Sequence, residues 1–392
     1  MKGPDLLTIA TDTPFVFFLI IASMVFSAIL LMQTSDRNRT LGELPKGRFK
    51  SLEGLRGLLA VSVFSGHCVI SLGYSHTAQW ESPKYVLYSW ATKGAVALFF
   101  MITGLLFWTK VLDSGCYYKS HCTSRFRRIY PLYLLMASMV LLVVAVEGGL
   151  GLNIPALQFL TQLFFWLLPG IVAIDSINSV TILFINAGVL WTLQYEWGFY
   201  LILPVIALLF RHRTWAMAVL YLMIFLGAYA SNLTVVTTHM KVALPLLLGC
   251  LSAHILRSGF WRTRRQSLPY QWFTLLLVAA SIMLYLPGAS TLNNVLFLWP
   301  AFTLVAGGVS VFGFLHSRPM VYLGRISFGV YLLHGIFLYM LRAMLSYSDL
   351  GQVQQDLIFI GSLVPSALAL TWFCTWAHVF VELPFMKKQS VI

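Results

Sequence analysis

The sequence predicts an all-α, polytopic membrane fold of about 11 transmembrane helices plus a re-entrant segment. Three observations carry that expectation. Of the 392 residues, 59% are hydrophobic and only 10% charged, with a mean hydropathy of +0.81, whereas soluble chains run about half apolar and about a quarter charged. Many segments reach the roughly 20 apolar residues that cross a bilayer. The basic residues also alternate between loops. If loop 33–50 is cytoplasmic, then 110–128, 211–214, 257–267, 316–325 and the C-terminus share its side, and together they hold 20 of the 26 Lys and Arg residues. The opposite loops hold Lys2, Lys84 and Lys241, while Arg56, Lys93 and Arg342 lie within spans. This bias predicts a non-cytoplasmic N-terminus and a cytoplasmic C-terminus. It also accounts for the formal charge of +13 without nucleic acid as a partner.

Hydropathy places the spans near 14–32, 54–73, 86–109, 129–147, 187–210, 215–231, 241–256, 271–287, 293–315, 326–346 and 357–381. The N-terminus has no basic n-region or clear cleavage site, so Phe15 to Met32 reads as a retained span. The loop assignment closes only if 156–174 starts and ends on the non-cytoplasmic side, as a re-entrant or interfacial segment; 12 spans is the alternative. Pro155, Pro169 and Gly170 favour the re-entrant form, since broken backbone at membrane depth is tolerated where it lines a cavity. No internal repeat is evident, which disfavours an inverted-repeat transporter. The cysteines Cys68, Cys116, Cys122, Cys250 and Cys374 are scattered and give no disulfide framework, and Cys116, His121 and Cys122 fit no standard zinc spacing. No metal is expected.

The polar groups inside these spans need explaining. Arg56 and His67 are eleven positions apart, which brings both onto one helix face, about 16 Å apart along the axis. Ala60 and Val63 between them are small, so the expected geometry is a slot with a cation at its cytoplasmic mouth and an imidazole near mid-bilayer. Gly54, Gly57 and Gly66 would let a ligand approach the backbone. The plainer alternatives are a snorkelling arginine and a packed, hydrogen-bonded histidine.

Arg125 and Arg128 sit at the cytoplasmic N-terminus of a later span, with Pro131 near its first turn. Orientation signalling would account for them. So would anion binding, because helix N-termini and guanidinium forks both favour phosphate. Glu196 lies about nine residues into a span entered from outside, hence roughly 13 Å deep and level with His67. An acid at that depth is either a structural partner of Arg or His or part of a functional site. Ser327, Tyr331 and His334 fall at i, i+4 and i+7, on one helix face, as a polar seam lining a cavity or as interhelical hydrogen bonds. Glu382, at the cytoplasmic rim, is expected to pair with an arginine.

Taken in order, several motifs resemble the acyltransferase-3 family of membrane acyltransferases. They are Arg56 followed by His67, the segment Phe99 to Leu106, and Arg125-x-x-Arg128-Ile-x-Pro131. Trp191-Thr-Leu-x-x-Glu196-x-x-Phe-Tyr200, Ser327-Phe-x-x-Tyr331-Leu-Leu-His334 and Glu382-x-Pro384 complete the set. The likeness runs over about residues 51–385. It implies transfer of an acyl group, most often acetyl, from cytoplasmic acyl-CoA to a hydroxyl of an extracytoplasmic or lipid-linked carbohydrate, in a bacterial inner membrane.

By the same resemblance His67 and Glu196 would be catalytic, and Arg56, Arg125 and Arg128 would bind acetyl-CoA, the acyl donor. His67 would act as general base or carry the acyl group, with Glu196 orienting its ring. Partners would be acyl-CoA, a carbohydrate or lipid-linked glycan and membrane lipid. The expected organisation is an extra N-terminal helix and loop at 1–50, an acyltransferase domain at 51–385 and a short cytoplasmic tail at 386–392. The extra span and the lack of an attached esterase-like domain depart from the family pattern. Trp191, Trp197 and Tyr200 could stack on a sugar, though interfacial anchoring explains such residues equally well. A transporter or flippase for an anionic or lipid-linked substrate would also need buried Arg, His and Glu, and stays the alternative.

Overall fold

A computed structural model of the chain describes residues 10–45, 49–114, 118–149, 151–168, 170–172, 174–210, 214–230, 234–258, 267–285 and 292–386. Its long helices are α1 (Phe15–Thr34), α3 (Lys50–Thr77), α4 (Val86–Ser114), α5 (Tyr118–Gly148), α7 (Trp191–Phe210), α8 (Thr214–Ala230), α9 (Thr234–Arg257), α10 (Leu268–Met283), α11 (Leu292–Ala306), α13 (Ser327–Ser346) and α14 (Gln352–Ala377). Shorter helices α2 (Asp36–Leu41), α6 (Ala156–Leu167), α12 (Arg318–Arg325) and α15 (Leu383–Met386) join them. Among the described residues, 7 helices are long and apolar enough to cross a membrane, and shorter apolar helices accompany them, so the chain is an all-α integral membrane protein. Cys116, the basic residues at 211–213 and 259–266 and the tail 387–392 lie outside the described residues.

The bundle is arranged around α3. In its apolar window 83% of residues are buried, against 28–61% in the six other candidate spans, so it is surrounded while they keep a lipid-facing side. It packs on α1, α4, α12 and α13. Close approach is permitted by glycines: a Cβ on Gly54 would meet the Leu315 carbonyl, and one on Gly324 of α12 would meet the Glu53 carbonyl. Gly54 and Gly57 therefore seat α12 and the turn before it against α3, a helix-packing role in place of the ligand contact expected of them. Gly324→Val is expected to force the two backbones apart at a cost of about 3 kcal/mol or more, lowering the melting temperature in detergent. Gly361→Ala, with open space around its Cβ, is the control that should leave it unchanged.

Two local features bear on the site. Within the segment 156–174, Ala156–Leu167 is a 12-residue helix, about 18 Å long and too short to span. It is tied to α5 by the Tyr133 hydroxyl donating to the Trp166 carbonyl at 2.6 Å. A small antiparallel hairpin, β1 (Ser176–Ile177) and β2 (Val180–Thr181), follows it. Helix α5 begins at Tyr118, so Arg125, Arg128 and Pro131 lie well inside it and not at its N-terminus. The orphan N–H groups expected near those arginines are thus one to two turns away.

Candidate active site

Five helices bring the first cavity together. Arg56 enters it from the second turn of α3, Arg125 and Arg128 from α5, Thr103 from α4 and Glu196 from the second turn of α7, with Ser327 and Tyr331 of α13 closing the wall. Phe99, Phe100, Leu106 and Phe328 supply its apolar sides. It encloses about 910 Å³, open solvent at its mouth included.

Each charge is held in place. Arg56 lies 3.7 Å from Glu53, one turn earlier on the same helix. Arg125 rests over the Phe107 ring at 4.5 Å. Arg128 pairs with Glu382 at 3.5 Å, and Glu382, only 1% exposed, is bonded to His378 at 2.7 Å. The turn His378–Glu382 that aims this carboxylate inward has π geometry, a local widening common at functional sites. Glu382 thus holds an arginine of the cavity. Glu196 accepts from Thr103 at 3.2 Å and from the Tyr200 hydroxyl at 3.3 Å.

His67 faces a different space. With Trp80, Lys93, Val189, Trp191 and others it lines a cavity of about 1570 Å³, open solvent included, at the opposite end of α3. Val96, Phe100 and Tyr331 line both cavities, so the two stand back to back across one layer of side chains. The Tyr331 hydroxyl is anchored to Thr192 at 3.2 Å and to the Val189 carbonyl at 3.3 Å. One continuous slot was expected; the fold supplies two compartments meeting at Tyr331.

The protonation pattern of the histidines follows from their partners. His334 is fully buried. Its Nδ1 lies 2.9 Å from the Val330 carbonyl and its Nε2 2.9 Å from Nδ1 of His67. A carbonyl only accepts, so Nδ1 of neutral His334 carries the proton and its Nε2 must accept from His67. His67 is thereby left with a bare Nε2. The ring expected to lean on Glu196 leans on His334 instead, because α13 packs directly on α3 whereas Glu196 opens into the arginine cavity.

Of the residues singled out from sequence, Arg56, Arg125, Arg128, Glu196, Ser327 and Tyr331 meet in one cavity. His67 lies in the other, and His334 stands behind it. Thr103 and Trp80 were not anticipated. Thr103 lies in the Phe99–Leu106 segment that carries the family resemblance, but was given no role of its own there. Trp80 sits in a loop with no period to place it, yet its ring stacks near His67 at 6.2 Å and 25°. Among the described residues no group of three His, Cys, Asp or Glu could hold a metal ion. The arginine cavity suits an anion, and the second cavity suits a hydroxylated ligand brought to a base.

Comparison with known proteins adds one finding. A family model described as an acyltransferase domain matches residues 49–376, well over half of the chain. No curated protein and no solved structure matches it.

Proposed function

The chain belongs to the acyltransferase-3 family and is a membrane acyltransferase, and from that premise we propose that it moves an acetyl group from cytoplasmic acetyl-CoA to a hydroxyl of a carbohydrate presented on the other side. The observation that carries this reading is the pair of back-to-back cavities, three guanidiniums in one and a histidine with a free Nε2 in the other. Two substrates that enter from opposite sides and meet at Tyr331 would need this layout.

In the proposed mechanism Arg56, Arg125 and Arg128 hold the phosphates of acyl-CoA, as planar forks do best. The flexible arm of the donor threads between Phe99 and Phe328 toward Tyr331, bringing its thioester to the wall between the cavities. The acceptor hydroxyl gives its proton to Nε2 of His67 as its oxygen attacks the thioester carbonyl. The tetrahedral adduct collapses with cleavage of the C–S bond, and the leaving thiolate takes the proton back from the imidazolium. His334 accepts the Nδ1 hydrogen bond throughout, so the cation that forms on His67 is held in one orientation. Glu196 balances the arginine charges when the donor is absent. Trp80 and Trp191 offer faces on which a sugar ring can stack.

The test is a mixture of detergent-purified protein, acetyl-CoA and a panel of sugars, with free thiol followed against time. Release of CoA that depends on both protein and sugar is the expected result. Protein that neither binds acetyl-CoA nor releases thiol, yet carries a labelled lipid-linked sugar across liposomes, would return the chain to the transporter class.

A further inference from the structure

A third cavity of about 1510 Å³, open solvent included, opens at the same end as the histidine cavity, between the C-terminal turns of α3, α5 and α13 and the start of α14. Its walls include Tyr74, Ser75, Glu147, Tyr339, Arg342 and Asp356, and no step described above uses it. Arg342 belongs to α13, inside a candidate span, and an ionisable group there marks a functional site by default. Its guanidinium lies over the rings of Tyr74 at 4.6 Å and Trp80 at 5.6 Å, and one terminal N–H donates to the Phe184 carbonyl at 3.0 Å. Its Nε is buried with no hydrogen-bond partner, and so is the hydroxyl of Tyr339, whose ring lies 5.9 Å from the guanidinium. Two unmet polar groups beside one cavity are costly, and a ligand completes them when the Arg342 and Tyr339 side chains shift as it binds.

The chemistry of the walls narrows the ligand. Glu147 lines the cavity with Arg342, so its field does not favour a free anion. Asp356 is already engaged by His76 at 3.0 Å and Gln352 at 3.1 Å. Donors, acceptors and ring faces together suit an uncharged polyol.

Trp80 fixes the relation to the reaction site. One face of its ring neighbours His67, and Arg342 lies over it from the third cavity. Phe184, which lines the third cavity, is 6.1 Å from Trp80, which lines the second. The two spaces open side by side at the same end, with a single aromatic layer between them.

We propose that this cavity is a second acceptor subsite, binding the neighbouring uncharged sugar unit of a chain whose reacting unit sits at His67, an inference that rests on the acyl-transfer reading for what happens at His67. The acceptor is then a glycan of at least two units and not a free monosaccharide.

The experiment measures binding without any acyl donor, by tryptophan fluorescence of the purified full chain. The probes are neutral trisaccharides of glucose, mannose and N-acetylglucosamine, the matching monosaccharides and a glucuronate-containing trisaccharide. For wild type, one neutral trisaccharide is expected to bind about tenfold or more tighter than its monosaccharide, the worth of one charge-assisted hydrogen bond plus stacking. Arg342→Gln should erase that gain and leave the monosaccharide unaffected. Glu147→Gln, at an exposed position, should reduce it and covers the case in which the arginine variant fails to fold. No neutral trisaccharide preference in wild type, an unchanged gain in both variants, or a preference for the glucuronate probe would each overturn the proposal. Trisaccharide binding of the expected kind in protein that never releases CoA would leave the subsite standing and remove the acyl-transfer reading. Transfer to sugars with no gain for the longer chain would do the reverse.

Discussion

His67→Ala is expected to slow acetyl transfer by about 100- to 10,000-fold, the span that a positioned general base contributes, while leaving acetyl-CoA binding unchanged. The separation of the two effects follows from the geometry, because His67 lines the second cavity and the guanidiniums line the first. His334→Ala should give a smaller loss of kcat with little change in KM, since it removes the acceptor that holds His67 in one tautomer and touches no substrate. Because the two rings act as one unit, the double variant should lose little more than His67→Ala alone. Transfer rates, donor affinity and thermal unfolding measured on the three variants decide the matter. A folded His67→Ala protein working within about tenfold of wild type would place the base elsewhere.

Arg56→Ala and Arg125→Ala are each expected to weaken acetyl-CoA binding by roughly ten- to a hundredfold, the worth of a charge-assisted hydrogen bond to phosphate. The loss should shrink at high salt, which already screens part of the attraction. These two positions are cleaner tests than Arg128, whose removal would also strand Glu382, a buried carboxylate left with His378 alone. Calorimetric titration of the donor at two salt concentrations gives both numbers. Unchanged affinity in both variants would mean that the cavity holds something other than the phosphates of acyl-CoA.

Much of the candidate site was legible because helices carry their periodicity in the sequence. The positions of Arg56 in the second turn of α3 and Glu196 in the second turn of α7 follow from where the apolar runs begin. The i, i+4 spacing of Ser327 and Tyr331 put both on the wall of one cavity. The start of α5 was misplaced because the polar run 118–128 looks like a loop by hydropathy, yet continues the helix beyond the apolar core. The short α6 fits the re-entrant reading of 156–174 over the alternative of 12 spans, since a helix that starts after Pro155 and ends at Leu167 is too short to cross.

By itself the sequence determined the membrane class, the long helices and the set of buried polar side chains, because apolar length and the 3.6-residue period are local properties of the chain. Only the tertiary structure decided which of those side chains face one another. His67 meets His334 across 267 positions, and Glu196 stands with the arginines and not with the imidazole it was expected to lie level with. The period fixes a residue's face on its own helix, but the neighbour it faces depends on which helices can approach. Gly54 and Gly324 settle that at the α3–α12 crossing, where the two backbones come so close that a single Cβ would not fit.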